Sequence, residues 1–165
     1  MPLLIGGAGL EARKLDAPIS SEDFMPTVLG LARVAIPKTV QGLDFSGHAL
    51  GKKAPGDGCA VIECIAPFGP WTRKMGGKEF RGIRTARHTF VRDLNGPWLL
   101  FDNERDPFQT NNLTGKAESA ALQTELDARL KQKLNERGDD FRPGDDYIAK
   151  WGYHVDATGT VPYEP

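Results

Sequence analysis

Cysteine and histidine are scarce in this chain, with two Cys and three His in 165 residues. The two thiols, Cys59 and Cys64, sit in the run GCAVIECIA. If that run is one strand, an odd separation puts them on opposite faces, with Cα atoms about 16 Å apart. A disulfide needs less than ~7 Å, so no bridge between them is expected. His48, His88 and His154 are scattered along the chain, which leaves a zinc site without clustered ligands. Charge of one sign is also missing. The net charge is -1 and no block of like charges occurs, so neither nucleic acid nor an anionic membrane is called for. No apolar run approaches the ~20 residues of a membrane-spanning helix. The N-terminal MPLLIGGAGL has no basic leader and only a short apolar run, so no signal peptide is expected in this chain.

Glycine and proline, by contrast, are plentiful at 19 and 12, which predicts a large share of loop. The length suits one domain, or one and a fraction, with room for a true core. Residues 2–5 (PLLI) read as a short strand buried on both faces, the parallel-sheet type, yet no βαβ unit follows to supply its neighbours. The run SEDFMPTVLGLARVAIP predicts a helix with its N-cap near Asp23, because Pro26 fits only a first helical turn. Phe24, Val28, Leu31 and Ala35 then share one apolar face, and Pro37 is the expected stop. Loop follows to residue 58, with one short helical turn around His48. Strands are predicted over Ala60–Ile65 and Phe80–Arg92, separated by the Gly/Pro-broken loop 67–79. Trp98–Phe101 is the hairpin partner of the long strand, across a turn marked by Asn95-Gly96. Leu122, Leu126, Leu130 and Leu134 form the stripe of a helix over Lys116–Arg137, stopped by Gly138. Residues 138–165 read as an extended, aromatic-rich tail.

Few side-chain groupings carry chemistry. Gly7-Ala8-Gly9-Leu10-Glu11-Ala12 fits a dinucleotide-binding glycine pattern. Pro18 cuts the required helix short and no second strand ends in an acidic ribose ligand, so a plain glycine turn is expected. Asp44, Ser46 and His48 are neighbours in sequence, which carries no geometric promise of a catalytic triad. Asp139-Asp140 and Asp145-Asp146 flank Pro143-Gly144 and read as a solvated turn. In the strand FRGIRTARHTFVR, alternation puts Arg84, His88 and Arg92 on one face and Arg81 and Arg87 on the other. A guanidinium cluster there would suit a sulfate or carboxylate, so Arg84 and His88 are the candidate substrate-binding residues. The competing reading is a solvated face with ion pairs.

The run LLFDNERDPFQTNNL, Leu99–Leu113, resembles the L-Y-D-x-x-x-D-P-x-E-x-x-N-L element of the sulfatases, members of the alkaline-phosphatase-like superfamily. It departs from that pattern at Phe101 and at Gln109, where Tyr and Glu are usual. Other pieces follow in the family's order. PLLI resembles V-P-L-I, Asp23–Leu31 resembles D-x-x-P-T-L-L-x-L, and Ile36-Pro37 with Gln41-Gly42-Leu43-Asp44 resembles the stretch after it. Ile83-Arg84-Thr85 with His88-Thr89-Phe90-Val91 is similar to V-R-T…Y-K-Y-I. YIAKWGY and GTVPY look like the tail of some bacterial sulfatases.

The resemblance implies an α+β fold: a short antiparallel β-sheet packed by one long C-terminal helix, preceded by a strand and helix left over from a larger α/β domain. It divides the chain into the end of the catalytic domain (1–50), a C-terminal subdomain (51–137) and a tail (138–165). The family's formylglycine arises from Cys in C-x-[PA]-x-R and works beside a calcium ion. Cys64-Ile65-Ala66-Pro67-Phe68 has Phe where the Arg belongs, and Cys59-Ala60-Val61-Ile62-Glu63 fails as well. No catalytic or metal-binding residue is therefore expected here, and no cofactor in this chain. Calcium and formylglycine are implied for the complete parent, as is export of that parent. The expected partners are the missing N-terminal catalytic domain, a sulfated small molecule or carbohydrate, and a second copy of the chain at an exposed strand edge. Two rivals stand beside this expectation: a non-catalytic binding module using the basic strand, and the C-terminal part of a related phosphoesterase.

Overall fold

The computed structural model describes residues 3–7, 9–157 and 160–161. Two compact units emerge, Met1–Ala60 and Val61–Pro165.

The first unit is organised by helix α1, Phe24–Leu31, entered through a 3-10 turn at Ser21–Asp23. Asp23 is buried and its two carboxylate oxygens serve separate backbone donors. Oδ2 accepts from Ser20 N at 2.8 Å and Oδ1 from Leu43 N at 2.7 Å. Thr27, one turn on, accepts from Phe45 N at 3.0 Å. These bonds tie α1 to the segment leading into the short helix α2, Ser46–Ala49. The crossing is close: a Cβ on Gly42 would come within 2.0 Å of the Glu22 carbonyl oxygen.

Two expectations fail in this unit. Helix α1 ends at Leu31 rather than Pro37, because Arg33 takes a left-handed φ of 57° and Val34 N returns to Leu29 O at 2.9 Å. That is a Schellman closure with arginine in the place glycine usually fills. Ala35 therefore lies beyond the helix, and Phe24 and Val28 are exposed at 42% and 61%. Residues 3–5 form no strand, and Leu4 is 91% exposed. A parallel-type strand exists only through a neighbour's hydrogen bonds, which this unit does not supply. Pro2 lies outside the described residues.

The second unit is built on a four-stranded antiparallel sheet in chain order: β1 (Cys59–Cys64), β2 (Phe80–Thr85), β3 (His88–Asp93) and β4 (Gly96–Asp102). Cys59 and Cys64 form no disulfide. The expected long strand Phe80–Arg92 is in fact a hairpin that turns at Ala86-Arg87. No Gly, Pro or Asn announces the turn. Thr85 makes it, its hydroxyl accepting from His88 N at 2.8 Å and donating to His88 O at 3.3 Å. The next hairpin forms where Asn95-Gly96 predicts it, with Gly96 at φ 135° and a bulge between Val91 and Arg92.

Register fixes the two faces. Ile83 pairs with Phe90 and Phe90 with Leu100, and none of the three is exposed to solvent. Helix α3, Ala120–Arg137, brings Leu126, Leu130 and Leu134 to this unit's core, each at most 6% exposed. Each such leucine contributes about 1.5–3 kcal/mol by leaving water. Gly138, at φ 67°, closes the helix as expected. The segment read as an extended tail holds a further helix, α4, Gly144–Trp151. Gly144 allows it, because a Cβ there would lie 2.7 Å from both the Ile65 oxygen and the Ala66 Cβ. Eight residues with so few apolar positions are too short to show a helical period in sequence. Tyr163 of the tail lies outside the described residues.

Candidate functional site

Charged side chains cluster on the sheet of the second unit. Cross-strand pairing sets Arg81 directly opposite Arg92, an arrangement of like charges that is unfavourable by itself. Each is neutralised from the α3 side. Arg92 donates to Asp127 on α3 at 2.9 Å. Arg81 is fully buried, donates to Asp139 just past α3 and to Cys64 O at 3.1 Å, and lies 4.8 Å from the Phe141 ring centroid. Asp139 also accepts from Phe141 N and from the Tyr147 hydroxyl of α4. Burial pushes its carboxyl up, but the bonds from Arg81 and Phe141 N outweigh that and hold it below the ordinary carboxylate range.

Asp140, Asp145 and Asp146 are exposed, as a solvated turn requires, while Asp139 is drawn into the ion pair with Arg81. Asp140 accepts from Tyr147 and Arg142, and Asp145 from Arg73 at 3.1 Å. Arg73 also pairs with Glu79, which accepts the Gly144 amide at 3.1 Å and so helps to anchor α4.

The hairpin turn separates the two candidate substrate-binding residues. Arg84 pairs with Thr89, so they share a face, while His88 falls on the opposite face with Phe90. The expectation that Arg84, His88 and Arg92 lie together is therefore corrected, because two residues of turn intervene where continuous alternation was assumed. Burial lowers the His88 pKa against the pull of Asp102. Asp102 is bound by Arg87 Nη2 at 2.7 Å, and that bond holds its carboxyl far below the usual range.

Arg84 sits in a neutral network that the sequence reading missed. Its Nη1 donates to Thr89 Oγ1 at 2.7 Å and to Asn103 Oδ1 at 2.9 Å. Gln109 Nε2 donates to the same two oxygens, at 3.0 Å and 2.7 Å. Asn103 is locked in turn by Nδ2 and backbone bonds to Arg87 O. The only sequence signal for this group was the departure at Gln109.

The remaining candidates are structural. His48 Nδ1 bonds Lys52 O at 2.9 Å, and Asp44 accepts from Ser46 N to begin α2, so neither is arranged as a catalytic pair. Leu10 N returns to Gly7 O with no helix behind it, a turn rather than a pyrophosphate cradle; Ala8 lies outside the described residues. A cavity of about 370 Å³ is lined by Cys64, Ile65, Phe68 and Ile148 among others. Burial raises the Cys64 thiol, the opposite of an activated nucleophile. No group of three or more His, Cys, Asp or Glu converges among the described residues.

The model of the N-sulphoglucosamine sulphohydrolase C-terminal family matches residues 1–136. An ulvan-active sulfatase of Formosa agariphila is 38% identical over 156 residues, covering 93% of this chain and 30% of that protein. Among solved structures, a 2-O GAG sulfatase aligns with a TM-score of 0.69 at 22% identity, over 82% of this chain and 30% of that one. A phosphonate monoester hydrolase from Silicibacter pomeroyi aligns with a TM-score of 0.57 at 24% identity, over 90% of this chain and 30% of that one. Both structural likenesses speak for the fold. The chain spans less than a third of the curated relatives it matches. With its four-stranded sheet, its long helix and a match that runs from the first unit into α3, this chain belongs to the N-sulphoglucosamine sulphohydrolase C-terminal family.

Proposed function

We propose that this chain is the C-terminal part of a bacterial sulfatase acting on a sulfated carbohydrate, and that it takes no direct part in bond cleavage. The observation that carries the reading is the 38% identity to an ulvan-active sulfatase across 93% of this chain. The placement of its polar residues supports a non-catalytic role. The carboxylates of the second unit described above are engaged in ion pairs, and the histidine and cysteine candidates are fixed or inert. Formylglycine and calcium would be supplied by an N-terminal catalytic domain, the partner we assign to this chain. A second reading, the C-terminal part of a phosphonate or phosphate monoester hydrolase, draws on the fold likeness to the Silicibacter pomeroyi enzyme.

Two assays test the proposal. The purified chain should hydrolyse 4-nitrophenyl sulfate no faster than buffer, with or without calcium. Turnover that disappears in Cys64→Ala or His48→Ala would place catalysis in this chain and overturn the reading. The gene product extended upstream should release sulfate from a sulfated polysaccharide. Release of methylphosphonate from its monoesters, with no sulfatase activity, would install the second reading instead.

A further inference from the structure

Arg84 differs from its neighbours in the second unit. Arg73, Arg81, Arg87, Arg92 and Arg142 each contact a carboxylate. The partners of Arg84 are both neutral oxygens, on Thr89 and Asn103. A guanidinium has five N–H donors. Both bonds here use Nη1, which leaves the Nε–Nη2 edge of a half-buried cation without a described partner. That edge has the fork geometry that matches two oxygens of a sulfate or carboxylate.

The network looks built to hold the charge rather than to cancel it. Gln109 takes a left-handed φ of 55°, rare for a residue with a Cβ, and such strain persists where the surroundings fix it. Its carboxamide donates to Thr89 and Asn103, the same oxygens that Arg84 uses. A glutamate of the same size could not donate to them, and would bring a counter-charge into the group. Asn103, tied to Arg87 O at 2.8 Å, keeps the acceptor side rigid. Nη1 is thereby pinned and the opposite edge of the fork is held in one orientation, which lowers the entropy lost on binding.

We propose that the Nε–Nη2 edge of Arg84 is a binding point for an oxyanion, a sulfate ester or carboxylate carried by an acidic sugar, with Thr89, Asn103 and Gln109 as positioning residues. The sugar in this assignment rests on the function proposed above; the oxyanion does not.

The test is a titration of the whole chain with methyl sulfate and, separately, glucuronate, followed at the arginine Nε–Hε signals by NMR at low ionic strength. Sodium chloride is the control. The Arg84 signal should shift saturably, with half-saturation in roughly the millimolar range. Saturation by either anion supports the site, and the stronger of the two names its source. Arg84→Lys keeps the charge without the fork; followed at the Asn103 and Gln109 side-chain amide signals, which should shift with the same saturation in the unaltered chain, it should lose the response. Gln109→Glu, which keeps Arg84 and offers an internal carboxylate, should weaken binding about tenfold or more. A response no larger than that of chloride overturns the proposal, as does full binding in a folded Arg84→Lys chain. The titration is independent of hydrolysis: an extended protein without sulfatase activity would refute the function and leave this result standing.

Discussion

Removing the charge of Asp139 should unfold the second unit far more readily than any surface substitution. Arg81 is wholly buried, and Asp139, 15% exposed, is its principal counter-ion. The other acid near it, Glu63, stands 3.7 Å away and is 40% exposed. Asp139→Asn leaves the guanidinium in the core with one distant, solvated partner. Breaking a buried pair in this way costs about 3–5 kcal/mol, and the residual help from Glu63 puts the expectation near ~3 kcal/mol. For a unit of this size that lowers the melting temperature by roughly 10–20 °C. All three tryptophans, Trp71, Trp98 and Trp151, lie in the second unit, so their fluorescence during urea unfolding reports on it alone. Replacing both partners, as Arg81→Met with Asp139→Leu, should recover most of the loss, since an apolar pair leaves no orphaned charge. Acid adds an independent readout. The Asp139 pKa is depressed in the folded chain. Its contribution is therefore complete above the unfolded value near ~4 and is lost as pH falls through the lower folded value. Asp139→Asn should remove that part of the acid slope. A loss under about 1 kcal/mol, or an unchanged slope, would refute the assignment of Arg81–Asp139 as the ion pair that fixes this core.

Two further outcomes follow from the packing. Gly144→Ala places a methyl 2.7 Å from Ile65 O, which should displace α4 and open residues 139–157 to proteolysis at least tenfold faster, with the sheet intact by far-ultraviolet circular dichroism. Equal cleavage rates would show that α4 tolerates the shift. The first unit exposes Leu4, Met25, Val28 and Val34, all more than half exposed. The mass from light scattering should therefore rise with concentration, and Leu4→Glu with Val28→Glu should suppress the rise; a monomer at all concentrations would refute it.

Sequence reading recovers most where one residue type decides the local geometry. The leucine stripe of α3, its Gly138 stop and the Asn95-Gly96 turn are of this kind. So is Asp23, whose place before α1 was legible although its bond to Leu43 was not. The misses share a cause. At Ala86-Arg87 a Thr85 hydroxyl replaces the usual turn residues, and at Arg33 an ordinary side chain enters the left-handed region because the Schellman bonds hold it there. Missing the first of these merged two strands, and every face assignment beyond Thr85 reversed with it. The network around Arg84 was invisible because Asn103 and Gln109 approach it only after β4 has returned.

The segment after β4 also changes how the sheet ends. Leu100 N donates to Asn112 Oδ1 at 2.9 Å, Leu113 N donates to Leu100 O at 2.8 Å, and Asn112 Nδ2 reaches Trp98 O at 3.0 Å. These are the outward-facing groups of β4, the last strand in the sheet. Left open, such a border recruits strands from other chains. During synthesis it stays open until Asn112 and Leu113, ten and eleven residues past the end of β4, have left the ribosome. Substitutions at Asn112 take away the cover of this border and should therefore lower the yield of soluble protein more than they lower the stability of what has already folded.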